Sequence, residues 1–235
     1  MKKNLLIVAI IVTAILALDQ FIKIYVKSNF GPNESISIFG DWFVMHYTEN
    51  PGMAFGTTFG SGIWAKLSLS IFRIIAITAI TWYLISQAKK QARLEFLIAI
   101  GLILAGASGN LIDSMFYDYI FPIDQYLNCD MAYNLLEGSG NFHDCHFGEG
   151  ITYKAEIRHT GFLFGNVVDM FQFEAYWPQW VPFLGGKAVF PPIWNIADAA
   201  ITLGVIMVFL RQRTYFPKEK DPNKKPFLKS LFKKA

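Results

Sequence analysis

Five ionisable side chains lie inside or beside long apolar runs of this 235-residue chain: Asp19, Lys23, Arg73, Asp113 and Asp198. On insertion scales, a carboxylate near the centre of a bilayer costs about 2.5–3.5 kcal/mol, so each such charge needs a partner or a function. Carboxylates also serve as general acids and bases. These residues therefore indicate buried ion pairs, acid–base chemistry, or both.

The first two charges are spaced for an ion pair. Asp19 and Lys23 are four residues apart, which places them on one helical face with the acid first, the better order for such a pair. A self-neutralising pair and a catalytic role both remain open for them. Arg73 lies one to two turns into its own apolar run. Its long stem lets the guanidinium reach outward to the interface, so we expect Arg73 mainly to anchor its helix.

A third apolar run carries Gly106, Asn110 and Asp113 at positions i, i+4 and i+7, on one helical face. Small residues permit close helix packing, and the amide and the carboxylate can form hydrogen bonds across the contact. This face is either a helix–helix contact or the wall of an active site.

Two acids near the end of the chain could act together. Asp198 follows Asn195 by three residues, about one turn into the last apolar run, where a carboxylate is better suited to act than to support a helix. Asp169 follows an apolar stretch and would, by itself, be a surface turn acid. Carboxylates a few ångströms apart share one proton and can act as general acid and general base. Asp169 and Asp198 are therefore a candidate dyad.

The elements that position these residues are predicted to be membrane spans. The composition is 53% hydrophobic and 17% charged, whereas soluble domains average about 25% charged residues. A bilayer core needs about 20 mostly apolar helical residues. Four stretches meet this length, at about residues 4–26, 67–86, 94–114 and 193–210. We therefore predict an α-helical integral membrane protein with four transmembrane helices.

The positive charges indicate the orientation of the spans. Most of the 21 Lys and Arg residues precede the first span, lie in the short loop 87–93 or belong to the basic tail 211–235. Positively charged loops stay in the cytoplasm, so both termini are predicted to be cytoplasmic. The first span is predicted to be retained rather than cleaved as a signal peptide, because its apolar face resumes after Asp19. Basic residues beside apolar runs, rather than on a folded face, argue against nucleic-acid binding.

The outer connections contain one patterned and one unpatterned segment. Residues 35–47 alternate apolar and polar positions around a Gly-Asp turn, which predicts a short β-hairpin on the membrane surface. Asn50, just beyond, indicates a peptide-binding edge or a plain turn. Residues 117–159 have no helix or strand pattern. Their Cys129 and Cys145 suit a disulfide better than a metal site, because their spacing with the nearby histidines matches no tetrahedral zinc motif.

Five blocks of the sequence, in this order, resemble the lipoprotein signal peptidase family, also called signal peptidase II, whose members are four-span aspartic proteases of bacterial inner membranes. The blocks are Asp19-Gln20 with Lys23, Asn50-Pro51-Gly52-Met53-Ala54-Phe55-Gly56, Gly106 to Asp113, Val167-Val168-Asp169 and Asn195-Ile196-Ala197-Asp198. The resemblance implies that Asp169 and Asp198 are catalytic. It also implies substrate-binding or supporting roles for Asp19, Lys23, Asn50, Gly52, Ala54, Gly106, Gly109, Asn110, Asp113, Asn195 and Ala197.

The same resemblance implies the activity and the location. The family removes signal peptides from diacylglyceryl-modified prolipoproteins by cleaving just before the lipidated Cys, without a cofactor or a metal. The implied partners are these substrates and membrane lipid. The implied site lies near the periplasmic face of the inner membrane, beside a small periplasmic β-element. We expect a monomer, although no sequence feature sets the oligomeric state.

Two features depart from the family pattern. The third-helix block of the family usually ends in Asp-Arg, but Asp113 is followed here by Ser114, so an ion pair expected of the family lacks its usual cation. The connection after this block is also longer than in the family, which marks residues 116–160 as an inserted periplasmic loop.

Two rival functions also fit a small membrane protein with buried acids. A proton-coupled transporter would need acids spread through the membrane depth, whereas the predicted acids gather near the outer end. A non-catalytic scaffold would depend on the inserted loop and not on the two aspartates.

Overall fold

The structure, a computed structural model, describes residues 1–31, 34–51, 63–121, 141–147, 151–157 and 161–217. Its helices are α1 (Lys2–Asn29), α2 (Ile63–Lys89), α3 (Leu94–Ile120), α4 (Ile196–Leu210) and the short α5 (Gln212–Tyr215). Its strands are β1 (Ser35–Phe39), β2 (Phe43–Asn50), β3 (Asn141–Phe147), β4 (Ile151–Ile157) and β5 (Val167–Phe173).

The long helices have the length and composition of membrane spans. α1, α2 and α3 are each long and apolar enough to cross a bilayer, and α4 is a shorter apolar helix. Together with the small antiparallel sheet, these helices confirm the predicted class of helical integral membrane protein. The helices extend beyond the predicted spans, because α1 begins at residue 2 and α2 runs from residue 63 to residue 89.

α3 is the central helix of the bundle. In the apolar 18-residue stretch of α3, 61% of the residues are buried, against 11% in the corresponding stretches of α1 and α2. Glycines allow the neighbouring helices to approach it closely. A Cβ on Gly101 would lie 2.6 Å from Val8 Cγ1 of α1, and one on Gly204 of α4 would lie 2.6 Å from the Ala99 carbonyl oxygen. Larger residues would therefore push α1 or α4 away from α3.

A three-stranded antiparallel sheet, in the order β1-β2-β5, lies at one end of the helices. The β1–β2 hairpin confirms the pattern predicted for residues 35–47. β5 pairs with β2 so that Asp169 lies opposite Thr48. The buried side chains that join the sheet to the ends of α1 and α3 are Val26, Phe30, Tyr47, Tyr117, Val168, Met170 and Phe171. This core fixes the height of β5 relative to the helices.

The start of α4 differs from the prediction, which placed a span from residue 193. The helix begins at Ile196, because Trp194 is held in extended backbone by the sheet. The Trp194 amide donates to the Phe171 carbonyl at 2.9 Å, and the Phe171 amide donates to the Trp194 carbonyl at 2.8 Å. Asn195 is therefore the N-cap of α4 rather than a residue of its first turn.

The inserted loop also differs from the prediction. α3 continues to Ile120, beyond the predicted end at residue 114, where the Asp118 side chain accepts the Gly161 amide at 2.8 Å. The expectation that residues 117–159 lack strands was wrong, because β3 and β4 form an antiparallel pair. Alternation of apolar and polar residues in Ile151–Ile157 was the available signal. Cys129, and with it the predicted disulfide to Cys145, lies outside the described residues, as do residues 218–235 of the tail.

Candidate active site

Asp169 and Asp198 come from separate elements and line one cavity. Asp169 is the third residue of β5, and Asp198 is the third residue of α4. The cavity has a volume of about 760 Å³. The polar side chains in its wall are Asn50, Arg73, Asn110, Asp169, Asp198 and Thr202, and the apolar ones include Val167, Phe173, Phe190, Ile201 and Ile206.

Two side-chain amides hold the Asp169 carboxylate. Asn195 Nδ2 donates to Asp169 Oδ1 at 2.6 Å. Asn50 Nδ2 donates to Asp169 Oδ2 at 3.1 Å. Because β2 pairs with β5, the end of β2 carries the Asn50 side chain to this position. Each oxygen of Asp169 therefore has one fixed donor.

Two donors also hold the Asp198 carboxylate. Asn110 Nδ2 donates to Asp198 Oδ1 at 2.9 Å. The Asn195 backbone amide donates to Asp198 Oδ2 at 3.4 Å, while the Asp198 amide donates to Asn195 Oδ1 at 2.9 Å. This reciprocal arrangement is a capping box, which fixes both the helix start and the carboxylate. Asn195 thus contacts both aspartates and sets their relative position.

Behind the cavity wall, Lys23 is fully buried among acceptors from two helices. Its Nζ lies 3.0 Å from Asp19 Oδ2 and 2.8 Å from Asp113 Oδ2. It also donates to Asn110 Oδ1 at 2.9 Å. Because Asn110 is thereby fixed with its Nδ2 toward Asp198, the lysine orients one amide of the site. The Asp19–Lys23 pair predicted from the spacing is present, but it is part of a larger network.

Asp19 and Asp113 are also bound to other elements. Asp19 Oδ1 accepts the Ala197 amide at 2.9 Å, which satisfies one of the first backbone donors of α4. Asp113 Oδ2 accepts the Val168 amide at 3.3 Å, which ties α3 to β5. Gln20 donates to Asp113 Oδ1 at 2.9 Å. The two acids therefore position the elements that carry the dyad.

The predicted glycines permit this arrangement. A Cβ on Gly109 would lie 2.6 Å from Asp19 Oδ2, and one on Gly106 would overlap the carbonyl oxygen of Ala197. Gly106, Asn110 and Asp113 therefore serve both alternatives left open by the sequence. They form a helix–helix contact and, through Asn110, part of the cavity wall.

The burial of the dyad and the closeness of its two acids favour a proton on one of the two carboxyls. Burial, and next the negative charge of Asp198, raise the pKa of the Asp169 carboxyl to about 7. The hydrogen bonds from Asn50 and Asn195 oppose this rise without cancelling it. Two carboxylates that share one low-dielectric cavity do not both ionise readily at neutral pH. One carboxyl of the pair can therefore hold a proton while the other, ionised carboxylate acts as a base.

The structure brings most of the predicted site residues together and places one residue elsewhere than expected. Nine of the supporting residues lie in this network, namely Asp19, Lys23, Asn50, Gly106, Gly109, Asn110, Asp113, Asn195 and Ala197. Gly52 and Ala54 lie outside the described residues. Arg73 was expected to reach outward as an anchor, but it is half-buried, lines the cavity and donates to Ser114 Oγ at 3.0 Å.

A second buried cluster, which the sequence analysis missed, supports the sheet beside the dyad. Glu49 is paired with Lys27 of α1 and accepts from Tyr47 Oη at 2.8 Å. Asn166 Nδ2 donates to Glu49 Oε2 at 3.1 Å. Their positions beside Asn50 and at the start of β5 were the only sequence signals. This cluster holds β2, β5 and α1 in register.

Comparison with known proteins agrees with the site and the fold. The model of a family described as signal peptidase (SPase) II matches residues 11–213. The chain belongs to the signal peptidase II family. A lipoprotein signal peptidase of Porphyromonas gingivalis is 37% identical over 210 residues, which cover 87% of this chain and 81% of that protein. A second, from Amoebophilus asiaticus, is 34% identical over 203 residues, covering 83% and 73%.

Solved structures show the same fold. Two bacterial membrane enzyme structures superpose with TM-scores of 0.53 and 0.51, each at 21% sequence identity. They cover 87% and 91% of this chain, and the chain covers 91% and 93% of them. Membership of the signal peptidase II family makes this chain a peptidase, and its apolar helices make it a multi-pass membrane protein.

Proposed function

We propose that this chain is an aspartic endopeptidase that removes signal peptides from bacterial prolipoproteins. The observation that carries the proposal is the pair Asp169 and Asp198, which line one cavity and are each held by two hydrogen-bond donors. Such fixed carboxylates are what acid–base peptide hydrolysis requires. The names of the curated relatives supply the substrate class.

In the proposed reaction, the ionised carboxylate takes a proton from water while the protonated carboxylate donates a hydrogen bond to the scissile carbonyl. The water oxygen bonds to the carbonyl carbon, and the proton held by the second aspartate passes to the carbonyl oxygen. The first aspartate then passes its proton to the amide nitrogen, while the second takes back a proton from one hydroxyl of the tetrahedral intermediate. The C–N bond breaks, the carboxylic acid and the amine leave, and the pair again shares one proton. The two aspartates supply every proton transfer in this sequence.

The proposed substrate is a prolipoprotein whose cysteine carries a diacylglyceryl group, cleaved just before that cysteine. Apolar residues of α4, Ile201 and Ile206 among them, line the cavity beside Asp198. This surface suits acyl chains, and a lipid on the substrate would hold the scissile bond at the membrane edge. We place this site near the periplasmic face of the inner membrane, with both termini in the cytoplasm, because positively charged loops stay inside.

No observation favours the transporter. Acids of a proton path line a route through the membrane, whereas Asp19, Asp113 and Asp198 contact one another's partners at the end of the bundle beside the sheet. The scaffold hypothesis leaves the fixed geometry of the two aspartates without a use.

The direct test is cleavage by the purified full-length chain in detergent or nanodiscs. It compares a diacylglyceryl-modified prolipoprotein with the same protein before modification, each with EDTA and without it. We expect rapid cleavage of the modified substrate, little cleavage of the unmodified one, and no effect of EDTA. A folded chain that leaves the modified substrate intact would contradict the proposed function, and loss of cleavage in EDTA would contradict the aspartic mechanism.

The raised pKa of Asp169 predicts how activity depends on pH. As the pH rises through about 7, the pair loses its shared proton, the scissile carbonyl loses its donor and kcat/KM should fall. At low pH both carboxylates are protonated and the base is lost. We therefore expect a bell-shaped profile whose alkaline midpoint lies near pH 7, measured between pH 4 and pH 9.

Glu95→Gln is a matched control for this profile, because Glu95 lies in the first turn of α3, at the opposite end of that helix from Asp113. It should leave both limbs in place. A wild-type profile that stays flat from pH 6 to pH 9 would contradict the shared proton.

A further inference from the structure

The cavity contains a cation that the family motifs do not provide. Arg73 lies on α2, which contributes none of the five family blocks. Yet among the described residues that line the cavity it is the one cationic side chain, beside Asp169 and Asp198. A contact with α3 holds the Arg73 guanidinium at the cavity, because Arg73 Nη1 donates to Ser114 Oγ at 3.0 Å.

Ser114 is built to hold this guanidinium. Its side chain is fully buried, and its hydroxyl also donates to the Asn110 carbonyl at 3.3 Å. The hydroxyl is thereby oriented with an oxygen lone pair toward Arg73. A small residue at position 114 leaves the space through which a side chain from α2 reaches the cavity. The contact therefore draws the guanidinium inward, against the outward reach that its stem would allow.

The charge balance of the site gives this cation a role. Lys23 is the one cation that Asp19 and Asp113 share behind the cavity wall. Ionisation of one dyad carboxyl adds a negative charge to this acid-rich region. Asp113, Asp169 and Asp198 all lie within electrostatic range of Arg73. In a poorly solvated cavity, an added positive charge favours the ionised form of a nearby carboxylate.

We propose that Arg73 is a positioning residue that supplies the positive charge of the active-site cavity from α2 and so keeps one carboxylate of the dyad ionised at neutral pH. This inference rests on the proposed function. It also accounts for Ser114, which stands where the family usually has an arginine. Arg73 of α2 places its guanidinium against this serine and supplies the positive charge instead.

The test measures kcat/KM against pH for wild type, Arg73→Met and Arg73→Lys. Removal of a nearby cation makes each carboxylate harder to ionise, so both limbs of the Arg73→Met profile should move to higher pH by about one unit. On the acidic side this shift equals about a tenfold loss of kcat/KM. Arg73→Lys keeps the charge and should keep the limbs near their wild-type positions.

The charged groups that also act on the dyad stay constant across these variants. Lys23 acts on both carboxyls and Asp19 acts on Asp198. Asp113 pairs with Lys23, Lys27 pairs with Glu49 beside the sheet, and Lys66 binds Asn166 next to β5. Arg93→Met is the matched control, because Arg93 is exposed and lies at the far end of α3. It should leave the profile unchanged.

A swap variant tests the origin of the charge. Arg73→Met/Ser114→Arg returns a guanidinium to the same region from α3 and should move both limbs back toward wild type. A purely structural role would lower the yield of folded protein or kcat without moving the limbs. The proposal is overturned if folded Arg73→Met has wild-type limbs, if Arg73→Lys shifts as far as Arg73→Met, or if the folded swap keeps the shifted limbs. Failure of wild type to cleave would instead remove the proposed function itself.

Discussion

Asp169→Asn and Asp198→Asn are each expected to lower kcat for prolipoprotein cleavage by roughly 10²- to 10⁴-fold. Asparagine keeps the size of the side chain, but it cannot take a proton from water and cannot share one with its neighbour. Either substitution leaves a single carboxyl, which cannot act as base and acid at the same time. The measurement is single-turnover cleavage of the diacylglyceryl-modified substrate by purified protein.

The same substitutions should leave the fold intact. They remove one of two buried carboxylates that repel each other, which offsets the one hydrogen bond that the asparagine NH2 group cannot accept. The thermal unfolding temperature should therefore stay close to that of wild type. Asp41→Asn is the matched control, since Asp41 is exposed in the turn of the β1–β2 hairpin. It should keep full activity. Appreciable turnover by folded Asp198→Asn would rule out the dyad.

The second large effect is expected from Lys23→Met, which removes the central charge of the network. Asp19 and Asp113 would then lie buried without a cation, and Asn110 Oδ1 would lose its charged donor. Removal of one partner from a buried ion pair destabilises proteins by about 3–5 kcal/mol. We expect a loss of this size in the free energy of unfolding, measured in detergent, together with loss of cleavage.

Two further variants separate charge from packing in this prediction. Lys23→Met/Asp113→Asn removes one of the uncompensated acids and should recover part of the stability. Lys89→Met makes the same change at an exposed position at the end of α2 and should have no effect. If Lys23→Met unfolds at the wild-type temperature, the network does not contribute as its geometry indicates.

Much of this architecture was accessible from the sequence because the signals are local. The lengths of apolar runs gave the helices, and alternation around a turn gave the β1–β2 hairpin. The candidate dyad followed from two acids at the ends of apolar stretches. The three-residue spacing of Asn195 and Asp198 was also recognised, although the capping box that it forms needs the helix to begin at Ile196.

The features that escaped prediction depend on contacts between distant segments. α4 starts late because Trp194 pairs with Phe171 in the sheet, and no local propensity contains that pairing. The i, i+4 rule gave Lys23 its neighbour Asp19, but Asp113 lies on another helix. Arg73 turns inward because of Ser114, 41 positions away. The spacing of residues within one helix does not show which residues of a neighbouring helix pack against them.

The contact between Asp19 and the Ala197 amide joins α1 to α4, across 178 positions. During biosynthesis, α1 enters the membrane with Asp19 and Lys23, and α3 adds Asp113 later. Asp198 arrives only with α4, whose Ala197 amide then binds Asp19. The proposed dyad is therefore complete only after α4 has packed against α1 and α3, so we expect a chain whose α4 has not inserted to leave prolipoproteins uncleaved.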